Sequence, residues 1–415
     1  MKWLKCMGMA FALMSSLFSQ SIEGSINDTL QKISFRAFMS QSDVILITYR
    51  GYPIYVYGSE KKFEPIETRS VTKSITCLAI GMLMQEGKIA SINTPVSYFF
   101  PEWKQGYKKY ITLYHLLNNT SGLTLDSGKE LYEAPDCIKL ALATDVLTMP
   151  GTHFIYNNKA INLLSEIVKK AAGISLHEYV KSRLFQPLDI KSDTWLCDNA
   201  GNNYAMAHLT INSVDLAKIG LVLANGGIWN GKRLLAKEWI DACMEVSQPC
   251  NPFYGFLWWL DYKKLNVWWD ASLIEQYAAE GISECHVQSL RQLNGQVLSF
   301  DGLISYGNFY ERCASQLGST FGTDRKVYRF LAEVEAKGLP LCRWDQAELR
   351  SFSARGYLGQ QLLIMPQDKL VAVRLARSCG QVDNKLDTFA DFEGLMQELA
   401  QEIRCSPESI EYVNL

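Results

Sequence analysis

A serine and a lysine three positions apart fall on the same face of a helix, one turn from each other, so that an amine can reach a hydroxyl. Ser70-Val71-Thr72-Lys73 has this spacing. The chemistry it offers is nucleophilic attack on a carbonyl, with the lysine activating the serine oxygen. The pattern alone is weak, because average composition gives about one or two chance matches in a chain of this size. Ser59 and Lys62 repeat it, but they lie in a charged stretch after a β-rich run. Ser70 instead opens a long apolar segment, where a helix N-terminus favours charge developing on the oxygen and burial lowers the cost of a neutral lysine. The plainer role for Ser70 is a helix N-cap. A second group lies in Pro150-Gly151-Thr152-His153-Phe154-Ile155-Tyr156-Asn157-Asn158. There a phenol can relay a proton, and the Asn158 amide can fix a lysine or a substrate carbonyl. The plainer alternative is a turn with a packed tyrosine.

The elements that must position these groups follow from pattern. Ser70 to Glu86 is nearly continuous helix-forming sequence ending at Gly87, a good C′ residue. Further helices are expected over Asn162–Ala172, Ser213–Leu223 and Asp391–Arg404. Val44–Tyr49 and Ile54–Tyr57 read as strands around the turn Arg50-Gly51-Tyr52-Pro53, and Gln360–Ile364 and Leu370–Leu375 read as a second pair. Strands at both ends with helices between them predict an α/β lobe assembled from both ends of the chain, with a helix-rich lobe set into it.

Ser70, Lys73, Tyr156 and Asn158 together resemble the S-x-x-K and Y-x-N motifs of class C β-lactamases, D-alanyl-D-alanine carboxypeptidases and related esterases. The likeness extends to Glu86-Gly87-Lys88-Ile89-Ala90-Ser91-Ile92-Asn93-Thr94-Pro95-Val96 and to His115-Leu116-Leu117-Asn118-Asn119-Thr120-Ser121-Gly122-Leu123. Val214-Asp215-Leu216-Ala217-Lys218-Ile219-Gly220, Asn225-Gly226-Gly227-Ile228-Trp229-Asn230-Gly231-Lys232, Tyr254-Gly255 and Trp258-Trp259 resemble the 6-aminohexanoate-dimer hydrolase branch. The resemblance implies a β-lactamase/penicillin-binding-protein-like α/β (α+β) fold: an antiparallel sheet flanked by helices, plus an all-helical lobe. It implies Ser70 as nucleophile, Lys73 and Tyr156 as proton handlers, and Asn158 as a substrate-positioning residue. The family's third motif, K-T-G or H-x-G, falls at Ala354-Arg355-Gly356-Tyr357. Gly356 matches as a second positioning residue, but Ala354 stands where a Lys or His is usual. That departure weakens recognition of a substrate carboxylate. It leaves an oxyanion hole available from the backbone N–H groups of Ser70 and Tyr357. Arg355 should leave its strand on the face opposite Ala354. His115 is the false lead for a Ser-His-Asp arrangement; in this resemblance it is a core or helix-capping residue. The implied organisation is residues 22–100 with 351–405 as the α/β lobe and 101–260 as the helical lobe. Residues 261–350 are an insertion of unknown role, either bordering the cleft or decorating a distant face.

The 415 residues carry a formal net charge of -2 and no long charged run, which excludes a nucleic-acid partner on electrostatic grounds. Residues 1–20, with Lys2 and Lys5 before an apolar run to Leu17, have the layout of a signal peptide. They predict a secreted or periplasmic protein, with an uncleaved anchor as the alternative. The eleven cysteines form no CxxC pair and no zinc spacing; Cys77, inside the apolar helix, is expected to be a buried free thiol. His153, His177, His208 and His286 lack metal spacing. No cofactor, metal or obligatory protein partner is implied. The expected partner is a small-molecule or peptide substrate: a D-amino-acid peptide, short ester, linear amide or β-lactam, the carboxypeptidase and weak β-lactamase readings being alternatives. The rival from another class is a non-catalytic relative that binds a peptidoglycan fragment or a partner protein.

Overall fold

The computed structural model describes residues 25–125, 128–293, 295–382 and 385–415. The signal-peptide expectation falls outside them, and no helix among them is long and apolar enough to cross a membrane.

Seven strands form one antiparallel sheet: β1 (Val44–Tyr49), β2 (Tyr52–Tyr57), β3 (Trp259–Trp268), β4 (Leu298–Ile304), β5 (Arg343–Gly356), β6 (Gln360–Met365) and β7 (Leu370–Leu375), in the order β2-β1-β7-β6-β5-β3-β4. The sheet is built from both ends of the chain, as the sequence implies. Val44 pairs with Leu375 and Tyr49 with Leu370. The β1 run Val-Ile-Leu-Ile-Thr-Tyr does not alternate with polar residues because both its faces are covered. Val44 and Leu46 join the core on one side, and Ile45 and Ile47 join a second core on the other. Helices α1 (Ser25–Met39) and α9 (Phe392–Cys405) cover the second face.

The first face carries α2 (Val71–Gln85), whose residues from Val71 to Leu83 are all buried. A helix buried all round shows no amphipathic stripe, which is why its sequence reads as an unbroken helix-forming run. Its close packing is set by Gly81, where an added Cβ would lie 2.2 Å from the Trp239 ring. Any larger residue there must displace the tryptophan. Helix α4 (Ser213–Ala224) lies on the same face, with Gly220 against Val371. The chain expected as a helical lobe over 101–260 thus returns to the sheet by residue 213. Short strands at Thr194–Trp195 and Leu209–Ile211 sit among its helices.

Residues 261–350 are more than surface decoration. They supply most of β3, all of β4 and the start of β5, together with α5 (Ala271–Ala279), α6 (Glu284–Leu293), α7 (Tyr306–Phe321) and α8 (Asp324–Ala336). Their cysteines Cys285, Cys313 and Cys342 are all free thiols, so no disulfide among the described residues ties the segment down. Cys77 is a buried free thiol as expected, with its sulfur 3.6 Å from that of Cys243.

Candidate active site

Ser70 occupies the N-cap of α2 with φ -71° and ψ -8°, and its side chain makes no capping hydrogen bond. The plain role of a cap is therefore untaken, and the hydroxyl is left to its neighbours. Lys73, one turn on and 1% exposed, donates from Nζ to Ser70 Oγ at 2.8 Å and to the Met206 carbonyl at 2.7 Å. It also lies 5.0 Å from the centroid of the Tyr156 ring. Burial pushes the Tyr156 phenol up to about 12, outweighing the lowering by the Ser70 hydroxyl. The decoy Ser59 sits exposed in a short turn.

Met206 belongs to a segment that the sequence reading passed over. Thr76 donates to the Ala205 carbonyl (2.9 Å), Thr72 accepts from the Leu209 N–H (3.2 Å), and Thr68 donates to the Leu209 carbonyl (2.9 Å). Asn162 accepts from the Met206 N–H at 3.2 Å. Residues 205–209 are thereby stitched along α2, and the carbonyl that grips Lys73 is fixed in place. The signal for this was partly visible: Thr72 and Thr76 repeat at the spacing that lines one helical face, while Thr68 lies before the helix.

Tyr156 precedes α3 (Asn158–Ala172). Asn157 is the N-cap and accepts from the Ala160 N–H, while Asn158 is the first helical residue. The helix starts four residues earlier than the amphipathic pattern predicts, because the capping asparagine and not the first apolar pair sets its origin. Asn158 Oδ1 is buried without a hydrogen-bond partner among the described residues, an acceptor left for another group to use.

Gly356 ends β5 and meets the loop before the nucleophile. An added Cβ would lie 3.1 Å from Arg69 Cβ. This brings the start of the Tyr357 turn beside Ser70, although the Tyr357 side chain itself is 63% exposed. Arg69 holds a left-handed φ of 52° and pairs with Glu67 at 2.7 Å. Glu67 also meets His208 Nδ1 at 2.6 Å. Burial lowers the His208 pKa, outweighing Glu67, and Arg69 and Lys73 add to the lowering.

Ala354 is buried in the core that faces α2. Arg355 leaves on the other side, as alternation requires. Its guanidinium lies 2.7 Å from Asp261 and 3.0 Å from Glu393 of α9, and no bulge turns it inward. His115 caps its own helix, accepting at Nδ1 from the Thr112 N–H at 3.2 Å, in line with a structural role. His153 meets Thr152, His177 meets Asp193 and His286 meets Glu333; no metal-binding cluster occurs among the described residues.

Trp259, at the start of β3, stacks on Tyr156 with ring centroids 6.3 Å apart and meets Tyr254 at 4.9 Å. Its third aromatic neighbour is Tyr306 of α7, at 4.8 Å. Phe154, two residues before Tyr156, donates its N–H to the Gly338 carbonyl at 2.8 Å. The segment 261–350 therefore touches both the tyrosine's loop and its aromatic wall.

Residues 35–395 match the family model described as Beta-lactamase. A Beta-lactamase of Escherichia coli (strain K12) is 28% identical over 162 residues, covering 37% of this chain and 42% of that protein. Esterase EstB of Burkholderia gladioli is 31% identical over 143 residues, covering 29% of this chain and 36% of that protein. The chain thus spans less than half the length of these curated relatives. A solved structure from Bacteroides dorei DSM 17855 superposes with a TM-score of 0.62 at 15% identity, over 92% of this chain and 100% of that one, a likeness of fold.

Proposed function

Because the chain belongs to the Beta-lactamase family, matched over residues 35–395, we propose that it is a serine hydrolase that forms an acyl-enzyme on Ser70. The observation that carries this reading is the Lys73 Nζ contact with Ser70 Oγ at 2.8 Å, with the Met206 carbonyl at 2.7 Å fixing the amine's direction. Tyr156, raised to about 12, is a neutral phenol in the resting site, and we assign acceptance of the serine proton to Lys73, whose Nζ contacts Ser70 Oγ. Ser70 Oγ bonds to the carbonyl carbon, and the developing oxyanion is met by the backbone N–H groups of Ser70 and Tyr357. Tyr156 then gives its proton to the departing amine or alkoxide and is reprotonated by Lys73. Water, deprotonated through the same pair, releases the acyl group and restores Ser70. Asn158, with its unpartnered Oδ1, and Gly356 position the substrate. No metal or cofactor enters these steps.

The substrate class we propose is a neutral amide or ester at the reacting end. The strand beside Ser70 offers a substrate carboxylate no cation at Ala354, which is buried, and Arg355 is engaged by Asp261 and Glu393. An unpaired buried carboxylate is costly. We also propose export, on the strength of the leader-like residues 1–20; N-terminal sequencing of protein recovered outside the cytoplasm tests that point.

Mass spectrometry after exposure to a fluorophosphonate and to a penicillin tests the main reading. One covalent adduct is expected, on Ser70, and none on the Ser70→Ala protein. An adduct on Ser59 overturns the choice of nucleophile, and no adduct with a range of activated esters left unhydrolysed overturns the reading in favour of a binding protein.

A further inference from the structure

Two residues beside the reacting groups hold backbone conformations that side chains resist. Arg69, immediately before Ser70, has φ 52°, and His208, two residues after Met206, has φ 69°. Left-handed backbone crowds a Cβ against the following carbonyl oxygen. At positions other than glycine it persists where the surroundings enforce it. Here both side chains end on one carboxylate. Glu67 Oε2 lies 2.7 Å from Arg69 Nη1, and Glu67 Oε1 lies 2.6 Å from His208 Nδ1. Glu67 thus spans the two residues, with one oxygen for each.

The backbone of Glu67 is itself fixed. It pairs with Thr210 across a short antiparallel ladder of Ile66–Glu67 and Leu209–Ile211, and the Thr68 N–H donates to the Leu209 carbonyl at 2.8 Å. From this anchor the contacts reach the reaction on two sides. The peptide that joins Arg69 to Ser70 carries the Ser70 N–H, so the backbone angles of Arg69 decide where that donor points. His208 lies between Met206, whose carbonyl accepts from Lys73 Nζ at 2.7 Å, and Leu209, whose N–H donates to Thr72. The turn of the chain at His208 therefore bears on how the Met206 carbonyl faces the lysine.

We propose that Glu67 is a positioning residue for acylation: its carboxylate holds Arg69 and His208 in left-handed backbone, and so aims the Ser70 N–H at the oxyanion and the Met206 carbonyl at Lys73. The proposal rests on the serine-hydrolase reading and adds to it a group that acts only through its neighbours. Its effect falls on rate and not on substrate binding, because the groups it aims work on charge that develops in the transition state.

Glycine separates this role from ordinary structural support, since it takes positive φ without the cost that a side chain brings. Single-turnover acylation by a nitrophenyl ester and labelling by a fluorophosphonate are measured in wild type, in Glu67→Ala, and in Glu67→Ala combined with Arg69→Gly and His208→Gly. Glu67→Ala should lower the acylation rate constant by about tenfold or more, the scale of releasing one strained backbone position. The ester's dissociation constant, read from the same saturation curves, should stay near the wild-type value. The triple variant no longer needs the carboxylate and should regain most of the lost rate. Glu398→Ala, which removes an exposed carboxylate paired with Lys32, should acylate as wild type does. If Glu67→Ala does not fold, Glu67→Asp, whose side chain is one methylene shorter and does not reach both partners, takes its place in the same comparison. Wild-type acylation by the Glu67 variant, a loss that appears in binding instead of rate, or a loss that the two glycines leave unrecovered overturns the proposal, and a labelled Ser70 in wild type then spares the serine-hydrolase reading. A wild type that takes no label on Ser70 overturns that reading, and the positioning role with it.

Discussion

Gly356 and Thr68 stand so close that a Cβ on the glycine would lie 2.6 Å from the threonine's carbonyl oxygen. The glycine's φ of -135° and ψ of 160° are open to any residue, so what excludes a side chain is the approach of one backbone to another. This contact holds the start of the Tyr357 turn against the loop that leads into Ser70. Gly356→Ala must push the end of β5 away from the nucleophile. We expect kcat/KM for a short ester to fall by about 10²-fold, the scale of one lost oxyanion donor. Near-unchanged circular dichroism should accompany that loss, and an active Gly356→Ala enzyme would detach Tyr357 from the oxyanion hole.

Lys73 and Tyr156 share Ser70, and the lysine lies over the tyrosine's ring. Groups that pass one proton between them are lost together. Tyr156→Phe and Lys73→Ala should each lower turnover by about 10²–10⁴-fold, and the double variant by little more. The measurement is single-turnover acylation by a nitrophenyl ester. Multiplying losses would mean that the two residues act in separate steps.

Tyr156 also gives a signature at high pH. Its phenol, raised from 10.0 to about 12, stays protonated after an unfolded-chain tyrosine has ionised. Between those two values the folded state binds the extra proton, so stability falls as pH rises through that window and is untouched below it. Wild type should therefore show a steeper alkaline loss of thermal midpoint than Tyr156→Phe, and the two curves should run parallel under neutral conditions. Parallel curves throughout would mean that the phenol is not buried as described.

The grouping of Ser70, Lys73 and Tyr156 was legible in their types and spacing, and the structure brings them together; β1, β6 and β7 were legible because strands buried on both faces are apolar throughout. Trp259 was read only as part of a motif, and its contact with Tyr306 was not legible, since the two meet through a sheet register and a helix crossing that local pattern does not encode. The strands of 261–350 were hidden for a related reason. Exposed residues such as Lys263 and Gly302 interrupt their apolar alternation, and β3 and β5 pair with shifts in register. The helix start at Asn158 was missed because the cap is a polar signal ahead of the apolar one. Arg355 was placed on the correct face by alternation alone, but alternation says nothing of its partners, Asp261 and Glu393, which lie 94 and 38 residues away along the chain.

Those partners give Arg355→Ala a specific outcome. Burial pushes Asp261 up to about 6, with Glu393 adding to the rise and Arg355 opposing it. Removing the guanidinium leaves two largely buried carboxylates without their cation, a loss of about 3–5 kcal/mol for breaking such a pair. The raised Asp261 value fixes the sign of the pH effect. Between its ordinary 3.8 and about 6 the folded state holds a proton that the unfolded chain has released. Asp261 therefore costs stability as pH rises through that window. Without Arg355 the cost grows, so the variant's deficit in thermal midpoint should be large at pH near 7 and shrink as the pH is lowered toward 5. Substrate choice should be little affected, because the guanidinium is tied to Asp261 and Glu393 and meets the site only through the Trp259 ring, 5.8 Å away. The ratio of kcat/KM for a nitrophenyl ester to that for a chromogenic cephalosporin should stay near the wild-type value, favouring the ester. A folded Arg355→Ala enzyme that loses cephalosporin hydrolysis selectively, with an unchanged thermal midpoint, would assign the arginine to carboxylate recognition and refute its placement on the far side of the sheet.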